Sequence, residues 1–291
     1  AGYSLIFNPL TQFFYLPSWI YYLISFFIGD LSKYSFLIYT ISAISIFNIG
    51  LFKFLKTFDI NIRIVITAVL IVSISLKITE LLRFPNALHA MAWFPWVLYG
   101  INSILIKNKP FKNFLIIFFS SFMIFTAGYP YYIIYAFILF SIYVIFLIIS
   151  SKKNILFNEN KFPLISNKKL LFRVSLPAIC SAILFSPIYF KISELMSITR
   201  DRNISDINFS FHGSSNLTDQ IGSWIFPPFS MAEGWYYFGS APIFVLISVV
   251  IFTFLFRGVV TKDKIQLKII AIFFIVLFLI NYQFSNSEGS L

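Results

Sequence analysis

The sequence predicts an all-α fold, a polytopic transmembrane helical bundle of about eight spans. Three observations lead there. First, 59% of the 291 residues are hydrophobic and 11% charged, with a mean hydropathy of +0.86. A soluble domain of that composition would carry more apolar surface than its core can hide. Second, the apolar residues fall in runs of membrane-spanning length. Lipid offers no partner to backbone amides, so such runs must be helices, and the alternating pattern of a membrane barrel is missing. Third, the charges sort by side when alternate gaps between the runs are compared.

A hydrocarbon core needs roughly 17–25 residues per helix. Runs of that kind fall at 34–55, 61–79, 89–106, 111–128, 130–150, 170–190, 237–256 and 266–284. The stretch 13–29 is also apolar, but counting it as a full span would reverse every later loop. It is expected to lie along the outer interface or dip into it, where Pro17, Trp19, Tyr21 and Tyr22 suit the headgroup level. The reading is thus one membrane domain over 1–291, with 1–33 forming the rest of a first outer loop and 191–236 a large outer loop. Position 1 is not Met, and no basic segment precedes an apolar stretch as in a signal peptide. The chain is therefore expected to be a fragment.

The gaps around 53–63, 107–112, 152–173 and 257–268 hold 16 of the 22 Lys and Arg but only 3 of the 11 acids, Asp59, Glu159 and Asp263. The net balance is +13 on that side and −2 on the other. Cationic loops stay cytoplasmic during insertion, which orients the chain. The opposite, acidic face also bears the five Trp residues, and chemistry is expected there. The basic pI near 9.6 follows from the short cytoplasmic loops; no basic patch interleaved with aromatics gathers for nucleic acid.

Several site chemistries are excluded. Cys180 is the single cysteine and His89 and His212 the only histidines, so neither a disulfide framework nor a His-rich or Cys metal site is available, and no cofactor is expected. No phosphate-binding glycine loop, dinucleotide fingerprint or nucleophile elbow is present. The spans carry no buried Asp, Glu or His chain of the kind a proton-coupled pump needs.

Polar chemistry concentrates in the outer loop 191–236, which contains Glu194, Arg200, Asp201, Arg202, Asp206, His212, Asp219 and Glu233. A connecting loop needs far fewer residues. A second outer cluster places Glu80, Arg83, Pro85, Asn86 and His89 ahead of Ala90-Met91-Ala92-Trp93-Phe94-Pro95-Trp96. Glu80 and Arg83, spaced i,i+3, suit a helix-end pair, and His89 suits a helix end. In the functional reading, Arg83 and His89 offer donors to a phosphate at headgroup level, where guanidinium matches phosphate oxygens bidentately. Trp224 and Trp235 are open to two readings, an interfacial belt or platforms for the apolar faces of sugar rings.

Five segments in order, FNPL (7–10), RFPNALHAMAWFPWVLYGINSILIKNK (83–109), AGYPYYIIY (127–135), LPAICSAILFSPIYFKISELMSITRDR (176–202) and WYYFGSAPIFVL (235–246), resemble the YfhO-like bacterial membrane proteins. That family belongs to the GT-C type of membrane glycosyltransferase. The resemblance implies transfer of a sugar from a polyprenyl-phosphate carrier to a cell-envelope glycan acceptor, on the outer face of the bacterial cytoplasmic membrane. Where the family tends to have Gly-His-Pro-Gln, this chain has Gly128-Tyr129-Pro130-Tyr131, which removes a titratable group. The acidic residue expected soon after a first span would lie upstream of Ala1.

The mechanism so implied is an inverting substitution at the anomeric carbon, in which a carboxylate takes the acceptor hydroxyl's proton and cations neutralise the departing phosphate. Arg200, in a segment matching the family's outer-loop Ser/Arg element, is the first candidate for the phosphate, followed by Arg83 and Arg202. Glu194, Asp201 and Asp206 are supporting acids, although Arg200, Asp201 and Arg202 equally suit a local ion-pair cluster. Two other classes stay open: an O-antigen polymerase- or ligase-like envelope enzyme, and a lipid-linked glycan transporter or flippase. A transporter would show inverted repeats with broken helices, and no convincing repeat appears.

Overall fold

The computed structural model describes residues 8, 11–28, 34–58, 61–74, 78, 81–106, 109–152 and 167–198. By internal contacts the chain divides into two compact units. The first, Ala1–Ser73, Leu81–Ile148 and Glu159–Asn203, holds every contact discussed below. Its described part is helical throughout, with no strand among the described residues.

The helices are α1 (Leu16–Ile28), α2 (Ser35–Leu55, continued by a 3-10 turn Lys56–Phe58), α3 (Ile62–Ser73), α4 (Pro85–Ala92), α5 (Phe94–Ile106), α6 (Pro110–Thr126), α7 (Pro130–Lys152) and α8 (Asn167–Ile198). Proline opens α4, α6 and α7, a position where its missing N–H leaves no bond unmade. Helix α6 stops at Gly128, whose φ of 84° is the left-handed conformation that terminates helices and that glycine adopts without strain.

Three segments are long and apolar enough to cross a membrane: Phe36–Phe58, Pro130–Ile148 and Lys168–Glu194. They correspond to the runs 34–55, 130–150 and 170–190. The described part is therefore all-helical with three helices fit to cross a membrane, and its apolar helix surfaces suit contact with lipid. The expected count of eight spans is met only in part. The runs 61–79 and 111–128 yield shorter apolar helices, Ile62–Ser73 and Pro110–Thr126, and 237–256 and 266–284 lie outside the described residues. The run 89–106 is divided: α4 ends at Ala92, Trp93 is a turn, and α5 begins at Phe94. With Pro95 following at once, the backbone of Met91 loses its amide partner, and the helix breaks there rather than continuing. Helix α1 has 13 residues, about 20 Å at 1.5 Å per residue and short of a ~30 Å core. Most of its apolar side chains are exposed, Phe26 at 82% and Phe27 at 76%.

Helix α6 packs between α5 and α8, while α2 packs on α4, α5 and α3. Without water, helices associate through close approach and interhelical hydrogen bonds more than through hydrophobic burial, and both devices are present. Gly100 on α5 faces Ile117 of α6, and Gly50 on α2 faces the indole of Trp96. The Trp96 Nε1–H donates to the Ile46 carbonyl at 2.8 Å, and Lys53 Nζ lies 4.5 Å from its ring centre. Between α2, α5 and α7, the Tyr143 hydroxyl donates to Asn102 Oδ1 (2.6 Å), and Asn102 Nδ2 donates to Thr57 Oγ1 (2.8 Å). Ser73 on α3 donates to Asn48 Oδ1 on α2 (2.7 Å). Pro177 and Pro187 lie inside α8. Pro187 cannot serve the carbonyl of Ile183, and the neighbouring Ser186 hydroxyl donates to that oxygen instead at 2.8 Å, the kind of substitution that makes proline tolerable in membrane helices.

Candidate functional site

Charge sorting assigned to one side the start of α2, the residues before α4, the end of α6, the start of α7 and the end of α8. These ends meet. At that end of the bundle a chain of polar side chains joins Gln12, Tyr15, Ser18, Tyr39, His89 and Trp93, all of them buried except Tyr39, which is partly buried.

The hydrogen-bond directions follow from valence. Tyr39's carbonyl can only accept, so the His89 Nε2 that lies 3.1 Å from it carries the proton. Nδ1 is then bare and accepts from the Tyr15 hydroxyl at 3.0 Å. The Tyr15 oxygen in turn accepts from Trp93 Nε1–H at 2.8 Å. A second branch starts at Tyr39, whose hydroxyl donates to Gln12 Oε1 at 2.7 Å. Its single proton is thereby used, so Ser18 Oγ must be the donor to Tyr39 at 2.7 Å. Gln12 Nε2 closes the branch by donating to the carbonyl of Ala127, the residue that caps α6, at 2.7 Å.

The rings reinforce these bonds. His89 lies 4.0 Å from the Tyr39 ring centre at an interplanar angle of 30° and meets Tyr15 edge-on at 5.2 Å. Burial pushes the Tyr15 phenol well above its usual range, against a smaller opposing effect of the Trp93 N–H. Gln12 has a φ of 53°, a left-handed conformation that costs a non-glycine residue on the order of 1–3 kcal/mol. Both ends of its amide are bonded, which holds it there. Below it, Asn8, Gln12, Phe125, Thr126, Phe185 and Ile192 are among the residues lining a cavity of about 20 Å³, room for about one water.

No family model, no curated protein and no solved structure matches the chain.

Of the residues the sequence singled out, Arg83 is exposed just ahead of α4, its guanidinium carbon 5.6 Å from the Phe84 ring centre. His89 is fully buried, and both ring nitrogens serve protein groups. Glu194 is exposed on the last turns of α8 and pairs with Lys191 at 2.7 Å. Arg200, Asp201, Arg202, Asp206, Trp224 and Trp235 lie outside the described residues. Trp93 and Trp96, counted among the tryptophans of the acidic face, point their indole N–H groups inward to Tyr15 and Ile46. Among the described residues no three His, Cys, Asp or Glu side chains gather as a metal site.

Gln12, Tyr15, Ser18 and Tyr39 were not singled out by sequence. Their partners are up to 115 positions away, and a single sequence carries no local signal for such pairs. The one hint was the FNPL segment at 7–10, whose Asn8 reaches the small cavity.

Proposed function

We propose that the chain is a membrane glycosyltransferase of the GT-C type, moving a sugar from a polyprenyl-phosphate carrier to a cell-envelope acceptor on the extracytoplasmic face. The observation that carries this reading is the convergence of the segments on which the family resemblance rests. Asn8 from the first, Arg83 to Trp96 from the second, Ala127 to Tyr132 from the third and Phe185 to Ile192 from the fourth are dispersed over 185 positions, yet they adjoin one end of the bundle. A substrate site assembled from distant loops on a helical scaffold has this form. The inward bias of the cations supports assigning that end to the outer side.

In the proposed reaction the acceptor oxygen attacks the anomeric carbon as the bond to the carrier phosphate breaks. The phosphate leaves with the electron pair, and a carboxylate takes the acceptor's proton. The leaving group needs charge neutralisation more than protonation. Arg200 is the first candidate for that role, followed by Arg83 and Arg202, while Glu194, Asp201 and Asp206 orient the acceptor and Trp224 and Trp235 stack on sugar. The part of His89 is to fix Tyr15 and Tyr39.

The test is complementation of a deletion strain, read by mass spectrometry of envelope glycans and by transfer from lipid-linked sugar in membrane vesicles. Arg200→Ala should lower transfer about 10²–10³-fold, the usual cost of removing one preorganised charge-stabilising donor, with membrane insertion intact. Retained transfer removes Arg200 from the site. An unaltered glycan profile in the deletion strain overturns the transferase reading as a whole.

A further inference from the structure

We infer that the segment 12–18 is a pH-sensitive latch, held on the bundle while His89 is a neutral imidazole and released when His89 takes a second proton. This rests on the geometry of the buried cluster and is independent of the enzymatic reading.

The chain of bonds has one consistent set of proton positions. Trp93 donates to Tyr15, Tyr15 to His89 Nδ1, and His89 Nε2 to the Tyr39 carbonyl. A proton on Nδ1 puts two donors face to face. Tyr15 would have to accept from both Trp93 and the imidazolium, and its own hydroxyl proton would lose the Nδ1 acceptor. The ionisable groups facing His89 among the described residues are the phenol of Tyr15, from the segment before α1, and that of Tyr39, from α2. Neither supplies a negative charge. Helix α6 contributes no ionisable group there, since its single lysine, Lys112, lies in its first turn at the opposite end. The Tyr39 ring offers a cation its π face, a partial offset only.

The segment is also poised to leave. Gln12 is held in a left-handed backbone conformation by the two bonds of its side chain. The backbone bonds Tyr15 N–H to the Gln12 carbonyl (3.0 Å) and Ser18 N–H to the Tyr15 carbonyl (3.1 Å) exist only while that turn is kept. Loss of the Tyr15 anchor leaves the strained turn tied through Gln12 and Ser18 alone. Strain that persists only under surrounding constraint marks switchable segments. The sign follows from linkage. Burial disfavours the charged form of the latched imidazole, whereas the released one titrates near its ordinary value of about 6.5, so the latch is intact above that pH and weakens as pH falls below it.

The experiment is hydrogen exchange of the backbone amides of residues 12–18 in the full chain in lipid nanodiscs, corrected for the intrinsic pH dependence of exchange. Between pH 6.5 and 5 the opening constant should rise about fifteenfold, approaching tenfold per pH unit once the pH is well below the free histidine value. His89→Gln keeps a neutral donor for the Tyr39 carbonyl and an acceptor for Tyr15, and should abolish the rise. A wild-type opening constant that does not change with pH, or an equal rise in His89→Gln, overturns the proposal. Should that variant fail to insert, nitrogen-15 shifts of His89 in the wild-type chain decide. They must report an Nε2–H tautomer at pH 7.5 that converts to imidazolium over the interval in which protection is lost; conversion over any other interval refutes the latch.

Discussion

Adding one methyl group at Gly50 tests whether α2 and α5 are held at a fixed close approach. A Cβ built there would lie 2.6 Å from Trp96 Cδ1 and 2.7 Å from Nε1, inside van der Waals contact. The indole has little freedom to retreat, because Nε1 is bonded to the Ile46 carbonyl at 2.8 Å and Lys53 Nζ sits 4.5 Å from the ring centre. Helix propensity alone favours Gly50→Ala by about 1 kcal/mol. Overpacking costs about 1–3 kcal/mol, and displacing the indole forfeits a hydrogen bond worth about 1 kcal/mol. The expected net is a loss of about 1–3 kcal/mol, measurable as a lowered midpoint in thermal or denaturant unfolding of the purified protein in detergent. The contact itself is isolated by a double-mutant cycle with Trp96→Phe, which removes Nε1 and shrinks the ring. In that background the penalty should fall below about 1 kcal/mol. A stabilised Gly50→Ala, or the same penalty with and without Trp96, would refute the close approach.

Two further outcomes are expected from the bundle's polar contacts. Ser186→Ala should cost about 0.5–1.5 kcal/mol in the wild-type background, because the Ile183 carbonyl loses its donor. In Pro187→Ala, where a backbone amide returns to serve that carbonyl, the same change should be neutral, and equal costs in the two backgrounds would contradict the compensation. Asn102→Leu cuts the link from Thr57 to Tyr143 and leaves the Tyr143 hydroxyl without that acceptor; about 1–3 kcal/mol should be lost. An unchanged unfolding midpoint would show that the polar link does not hold α2, α5 and α7 together.

The long apolar runs were legible because hydropathy and length are local properties. Helices α2, α7 and α8 lie where the runs 34–55, 130–150 and 170–190 placed them. The division at Trp93 was not, since hydropathy is continuous across it and the break comes from the missing amide of Pro95. Histidine 89 read as a surface donor on its polarity, and its burial depends on Tyr15 and Tyr39, which no nearby residue announces. The gathering of alternate helix ends was legible through charge, because cations distribute by side before any packing forms. Gln12 was invisible for the opposite reason: its value lies wholly in one carbonyl of a distant helix.

That last bond has a consequence for biosynthesis. Gln12 and Ala127 are 115 residues apart, so at 5–20 residues per second the ribosome needs roughly 6–23 s between them. For that time the Gln12 amide lacks its acceptor on α6, although Tyr39, which bonds its other end, is made within the next 27 residues. The turn that ties the bundle's end is thus fully secured only once α6 has been made, and any factor shielding it in the interval would act before α6 has been inserted.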